Sequence, residues 1–326
     1  MKKVLITGGA GFIGSNLADR LISQGYTVRI LRRDNSDLRT IRGIEVEHCI
    51  GDVRDPISLL AAVKGCDTVF HTAAIVSFVK KKYAEQVEVN VTGTRNVVDA
   101  CLGAGIEKLV HTSSVAAIGY PPDGQLVTEE TEFNWGGSSG YKWTKHLAEQ
   151  EVRAATTRGL NAVIVNPSVV VGERDIHFHG GELLRAIKRG KVPLYIDGGM
   201  NIVYVGDVVD GHIQAALKGR KGERYILSGE NLSHKEIFRR TAELIDGRAP
   251  FGRLPIPALR GAATLLEFVA SLIGADPIIS RDLVTGAGRL NWFACDKAMR
   301  ELDYRITPFD TTILRAYRWY RENGLL

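Results

Sequence analysis

Cysteine is scarce in this 326-residue sequence: it occurs at Cys49, Cys66, Cys101 and Cys295, and no two form a C-x-x-C pair. That pattern excludes a disulfide scaffold and gives no metal-ligand spacing, so no metal is expected. The four read as small apolar residues of a reducing compartment, which places the chain in the cytoplasm. Long hydrophobic runs are also lacking. The most apolar late segment, LPIPALRGAATLLEFVASLIGA at 254–275, opens on two prolines and is broken by Arg260 and Glu267, so no membrane span is expected. The opening MKKVLITGG has only a short apolar run before its glycines, which fits a buried strand and not a signal peptide. A strong charge of one sign is missing too. The net charge is +5, Lys and Arg are scattered, and the run Lys80–Lys82 is short. This describes a solvated surface with weak attraction for anions and no nucleic-acid patch. Internal repeats and low-complexity tracts are absent as well.

What is present is an ordinary globular composition, 44% hydrophobic and 24% charged, with room for one large or two modest domains. Apolar runs alternate with helical periodicity. Strands are expected at Lys2–Thr7, Thr27–Leu31, Val46–Ile50, Thr68–His71, Lys108–Thr112 and Asn161–Asn166. Helices are expected at Phe12–Gln24, Ile57–Lys64 and Val87–Gly103, and one begins at Tyr141. This alternation predicts an α/β fold, a Rossmann-type doubly wound parallel sheet. After Pro167 the pattern loosens, with strands at Asn201–Val205 and Arg224–Leu227 and a helix at Asp207–Leu217 whose N-cap would be Asp207. We expect a dinucleotide domain over 1–166 with a returning segment at about 201–228. A smaller, mostly helical substrate domain is expected over 167–200 and 229–326.

TGGAGFIG at 7–14 lies where the first strand meets the first helix, and its glycines fall at Gly8, Gly11 and Gly14. They serve a tight turn, close backbone approach to a pyrophosphate, and close packing of helix on strand. The helix start at Phe12 and Ile13 offers free N–H groups and a positive dipole end to phosphate. The second strand ends at Leu31 and is followed by Arg32 and Arg33, guanidiniums able to fork onto a ribose phosphate, which favours NADP(H). Asp34 next in line keeps NAD(H) open. Asp52 and Val53 follow the third strand where an adenine would lie; a turn-forming role for Asp52 is the other reading. Thr72, Ala73 and Ala74 follow the fourth strand and are small enough for close cofactor approach, while His71 reads as a packed histidine. Asn90 opens the long helix, as a cofactor contact or a cap.

The fifth strand ends VHTSSVAAIGY, so Ser113 and Ser114 emerge at the carboxyl edge of the sheet. SSGYKWTKHLAE at 138–149 then sets Lys145 one helical turn beyond Tyr141. A free phenol, with a pKa of about 10, shuttles protons poorly at neutral pH. A nearby cation stabilises the phenolate, so Lys145 could tune Tyr141 as general acid/base while Ser114 holds a substrate oxygen.

TGGAGFIG, YKWTK and HTSSVAAIG together resemble the extended short-chain dehydrogenase/reductase superfamily, and so do NVTGTRNVVDAC at 90–101, NPSVVVGERD at 166–175 and IVYVGDVVDGH at 202–212. The resemblance implies that Tyr141 is the acid/base, that Lys145 also binds the nicotinamide ribose, and that Ser114 rather than Ser113 is the catalytic serine. Pro167, Ser168 and Val169 would lie against the nicotinamide. Arg33 after YTVRILR resembles dihydroflavonol 4-reductase-like members, which use NADPH and reduce a ketone of a small, partly apolar substrate. Asn166 resembles an asparagine that contacts the diphosphate in NAD-dependent sugar-nucleotide epimerases, the alternative activity; a strand-end cap is its other reading. Val115 and Ala116 stand where 4,6-dehydratases carry acids, which speaks against that branch. The apolar loop Ile75–Phe78 reads either as substrate surface or as packing under the second domain. The helices after the fourth and fifth strands match the pair that builds a homodimer in many relatives.

Overall fold

A computed structural model describes residues 1–121, 124–137, 140–178, 180–257, 259, 261, 286 and 288–326. The chain opens with β1 (Lys3–Thr7), α1 (Phe12–Ser23), β2 (Thr27–Arg32), β3 (Glu47–Ile50), α2 (Pro56–Val63) and β4 (Thr68–His71). A short α3 (Tyr83–Gln86), a π-helical turn (Val87–Thr92) and α4 (Gly93–Gly103) follow, then β5 (Lys108–Thr112), α5 (Tyr141–Thr157) and β6 (Ala162–Pro167). The chain continues through β7 (Val169–Val171), α6 (Gly181–Lys188), β8 (Leu194–Ile196), β9 (Gly199–Tyr204), α7 (Val205–Lys218) and β10 (Arg224–Leu227). Last among the described elements come β11 (Glu230–Ser233), α8 (His234–Ile245), β12 (Gly252–Leu254), β13 (Leu290–Asn291), α9 (Asp296–Leu302) and α10 (Phe309–Glu322).

The main sheet has the order β10-β6-β5-β4-β1-β2-β3, and every neighbouring pair is parallel. Its strands are continuous apolar runs because both faces are covered. Val4 and Ile6 of β1 face a core with Leu17, Leu21, Val205 and Val209, while Leu5 faces Leu59, Val97, Cys101 and Val152 on the other side. The strand order reverses between β1 and β4, and ligands of open α/β sheets sit outside the carboxyl ends at such a point.

A third core joins Val171, Leu184, Ile202, Ile237, Ile245, Phe309, Ile313 and Tyr320 into a second lobe. Among its described residues this lobe carries short strands beside its helices. β11, β9 and β13 form a small sheet with β7 on β9, and β12 pairs with β8. β9 therefore belongs to the smaller sheet, and the return to the main sheet begins with α7. Asp207 is not an N-cap: α7 starts at Val205, and the Asp207 carboxylate accepts Thr307 N at 2.6 Å and Thr307 Oγ1 at 2.7 Å. It thus ties α7 to the run-in of α10. Most of the apolar stretch 254–275, together with Pro277, lies outside the described residues. Among the described residues no helix is long and apolar enough to cross a membrane.

Asn90 does not open a helix either. The helical path begins at Tyr83, and Asn90 sits buried inside the π-helical turn. Thr94 Oγ1 donates to Asn90 O at 2.6 Å, and such side-chain competition for a helix carbonyl loosens the regular ladder. Insertions of this kind recur at functional sites.

Candidate active site

The glycine turn is a cradle made of backbone. Gly8 has φ +70°, and a Cβ there would lie 2.8 Å from the backbone of Ala73. A Cβ on Gly14 would lie 2.3 Å from Gly8 O, so only glycine lets α1 pack down on the turn. On Gly11, which is exposed, a Cβ would meet Gly8 O at 3.0 Å and nothing else nearby. Its outer side is open. The N–H groups of Phe12 and Ile13 have no backbone acceptor among the described residues. Open backbone, free donors and a helix start fit a pyrophosphate. Thr72 Oγ1 donates to Thr7 O at 2.7 Å, which fixes Thr72, Ala73 and Ala74 along the edge of the cradle.

β2 runs one residue further than expected, to Arg32, and still leaves Asp34 two residues beyond its end. Arg32 is half-buried; its Nε donates to His48 Nδ1 at 3.0 Å and its Nη1 to Arg33 O at 3.2 Å. Arg33 is exposed, close enough for its charge to help lower the Asp52 pKa. The larger cause is Arg54. Asp52 accepts Arg54 N at 2.9 Å, Nε at 3.0 Å and Nη2 at 2.8 Å, a turn-forming arrangement. Val53 is buried, and its carbonyl accepts Asn96 Nδ2 at 3.0 Å.

Ser114 and Tyr141 meet at the end of β5. Ser114 caps the short turn Val115–Ala117 by accepting Ala116 N at 3.1 Å, and its hydroxyl is close enough to Tyr141 to lower the phenol pKa. Gly140, at φ +58°, turns the chain into α5 so that its first residue, Tyr141, faces this serine. Lys145, one turn on, is buried and donates from Nζ to Thr112 O at 2.9 Å. Burial pushes the Tyr141 phenol up to about 12, opposed by the nearby Ser114 hydroxyl. Burial draws the Lys145 ammonium down to about 8, opposed by the charge of Glu149. Within the chain's own groups, then, desolvation dominates the phenol, and Ser114 is the group that opposes it. Ser113 Oγ is buried without a partner.

The surroundings hold this set in place. Asn90 Oδ1 accepts Ile75 N at 2.8 Å, and its Nδ2 donates to Ile75 O at 3.0 Å and to Thr144 Oγ1 at 3.1 Å. Asn90 therefore clamps the loop after β4 onto α5. His71 is packed, between Thr7 Oγ1 at 2.7 Å and Thr94 Oγ1 at 3.0 Å. Among the described residues the loop Ile75–Phe78 is not packed under the second lobe. Phe78 is 77% exposed and stands edge-on to Tyr141, with ring centroids 5.9 Å apart. Pro167 ends β6, Ser168 Oγ donates to Asn201 Oδ1 at 2.6 Å, and Val169 starts β7 partly exposed.

Asn166 is fully buried within β6. Its Nδ2 donates to Ser114 O at 2.9 Å and to Glu149 Oε1 at 2.6 Å. Glu149 went unremarked in the sequence reading, as did Thr40, whose Oγ1 donates to Ala10 O at 2.8 Å and braces the glycine turn. Only their positions in space mark them; Glu149 follows Lys145 by one turn, and that spacing was the one available signal.

A glycine cradle at the first crossover and a Ser–Tyr–Lys set at the end of β5 define an extended short-chain dehydrogenase/reductase. Residues 4–228 match the model of the NAD dependent epimerase/dehydratase family, and the chain belongs to that family. It is an NAD(P)-dependent oxidoreductase of the reductase and epimerase type. A Synechocystis sp. protein named as a candidate dihydroflavonol 4-reductase is 34% identical, over 98% of this chain and 94% of its own length. Sterol demethylase protein B of Methylococcus capsulatus is 31% identical over 99% of both. The crystal structure of gox2253 is 36% identical, with a TM-score of 0.91 over the whole of both chains.

Proposed function

We infer that the protein is an NADP(H)-dependent carbonyl reductase, or the reverse alcohol dehydrogenase, acting on a ketone of a small, partly apolar substrate. The observation that carries this reading is the approach of Ser114 to Tyr141 with Lys145 buried one turn beyond, at the same sheet edge as the glycine cradle. A bound nicotinamide dinucleotide supplies the hydride. Gly8, Gly11, Phe12, Ile13 and Gly14 would hold its pyrophosphate, Arg32 and Arg33 the ribose phosphate, and Asp52 and Val53 the adenine side. Thr72, Ala73, Ala74, Pro167, Ser168 and Val169 would line its path, and Lys145 would hold the nicotinamide ribose. Asn90 acts from behind, through the loop it clamps.

Ser114 Oγ holds the carbonyl oxygen, and Tyr141 delivers its phenolic proton to that oxygen as negative charge develops there. A phenol pushed up to about 12 is protonated at neutral pH, the form needed for reduction. The oxidation direction needs the phenolate, which the charges of Lys145 and the oxidised nicotinamide would favour. Phe78, exposed beside Tyr141, supports an apolar substrate surface. Asn166 favours the reductase over the epimerase, because its amide N–H is spent on Ser114 and Glu149 inside the fold. We take the protein to be a cytoplasmic homodimer formed through α4 and α5, testable by light scattering in solution.

The deciding experiment is to purify the protein without added cofactor, denature it, and identify released nucleotide by mass spectrometry. The emptied protein is then titrated with NADPH and NADH. An empty or NADP-bearing protein that prefers NADPH supports the reductase. Stoichiometric NAD overturns it in favour of an epimerase that keeps its cofactor through each cycle.

A further inference from the structure

A cluster of two aromatic rings and two cations is built partly from the segments that carry Ser114 and Tyr141. Arg289 Cζ lies 3.6 Å from the ring centroid of Tyr120 and 5.2 Å from that of Trp135. Lys142 Nζ, next in sequence to Tyr141, lies 3.0 Å from the Trp135 centroid. The frame is fixed on every side. Asn134 accepts Tyr120 N at 3.0 Å and donates to Tyr120 O at 2.8 Å, and Trp135 Nε1 donates to Ile118 O at 3.0 Å. Ile118 is four residues past Ser114, which ties the cluster to the catalytic turn. The Arg289 backbone is held just before β13, where its carbonyl accepts Gly199 N at 3.0 Å.

The stacking satisfies the faces of the guanidinium but not its edge. Aromatic rings attract a cation over their π surface and accept no in-plane N–H. Arg289 Nη1 is buried with no hydrogen-bond partner, and no carboxylate pairs with the guanidinium among the described residues. A buried charged donor without an acceptor is costly. An oxyanion in the guanidinium plane removes it, since planar anions match the arginine fork.

We propose that Arg289, framed by Tyr120 and Trp135, is a binding site for a carboxylate or phosphate group of the substrate. This rests on the reductase reading, which fixes Tyr141 as the reacting end. The substrate class is then an amphiphilic ketone, with apolar surface toward Phe78 and an anion at Arg289.

Isothermal titration with phenylacetate, phenyl phosphate and neutral benzyl alcohol tests this directly, with NADP present and absent. At least one anion should bind about tenfold tighter than the alcohol, the size of one charge-assisted hydrogen bond. Tighter phenylacetate identifies a keto acid; tighter phenyl phosphate identifies a phosphate ester. Arg289→Met keeps the stacked stem and should abolish the preference, and Arg289→Lys, which retains charge but not the fork, should weaken it. Equal affinity for the three probes, or a preference that survives Arg289→Met, overturns the proposal; should the Met variant not fold, an undiminished preference in Arg289→Lys does the same. Failure of the reductase reading looks different: no ketone is turned over, while the anion preference is measured without turnover.

Discussion

Two regions at one edge of the main sheet work by opposite means. The glycine cradle functions through atoms it does not have; the Ser114–Tyr141–Lys145 set functions through atoms it does. At Gly14 the space for a Cβ is already taken by Gly8 O, at 2.3 Å. At Tyr141, on the proposed reading, a single hydroxyl oxygen carries the chemistry. The first region should therefore be sensitive to additions and to fold stability, and the second to deletions and to rate alone.

Removing the phenol oxygen gives the largest expected effect. Tyr141→Phe should lower kcat by about 10²–10⁴-fold with NADPH affinity nearly unchanged, measured by steady-state kinetics and titration. An active Phe variant would remove the catalytic assignment. Gly14→Ala should reverse the signature, costing about 1–3 kcal/mol of stability and most of the cofactor affinity. Gly11→Ala, with only the 3.0 Å contact to Gly8 O, should spare the fold and still weaken binding. If thermal melting shows both alanines equally stable, the packing account of Gly14 is wrong.

Glu149 links the two kinds of behaviour. Its negative charge raises the Lys145 pKa against burial, and its carboxylate fixes Asn166 behind Ser114. Glu149→Gln retains the shape and removes the charge. Lys145 should then titrate below about 8, so any limb of the pH–rate profile that reports it moves to lower pH. A profile that does not move would assign that limb to another group. The smallest effect is expected at Arg33, which is exposed: Arg33→Ala should reduce the preference for NADPH over NADH by about tenfold.

The regions also differed in how plainly the sequence announced them. The parallel strands were legible because burial on both faces leaves unbroken apolar runs, and β4, β5 and β10 fall where those runs do. The glycine spacing and the Tyr141–Lys145 interval were equally plain, being local. The small sheet was not. β7 and β13 span only Val169–Val171 and Leu290–Asn291, and they exist because β9 offers them an edge. Side-chain partnerships across the chain were invisible for the same reason. Asp207 looked like a helix cap until Thr307, 100 residues later, was seen to occupy it. Asn166 reads as a ligand contact or a strand-end cap, and nothing local in the sequence announces Ser114 and Glu149 on its Nδ2.

The π-helical turn at Val87–Thr92 carries one consequence for engineering. An additional residue in a helix offsets the two halves by roughly 100° about the axis. The first half uses that offset to aim Gln86 at Ser77 O, 2.6 Å away, in the loop that brings Phe78 to Tyr141. The second half, free of that duty, buries Val97, Val98 and Cys101 in the core. Deleting one residue from the turn would restore a regular helix and swing the first half away from the catalytic tyrosine. The core would be unchanged, so a frame of one residue acts as an adjustable joint between a fixed scaffold and a variable mouth.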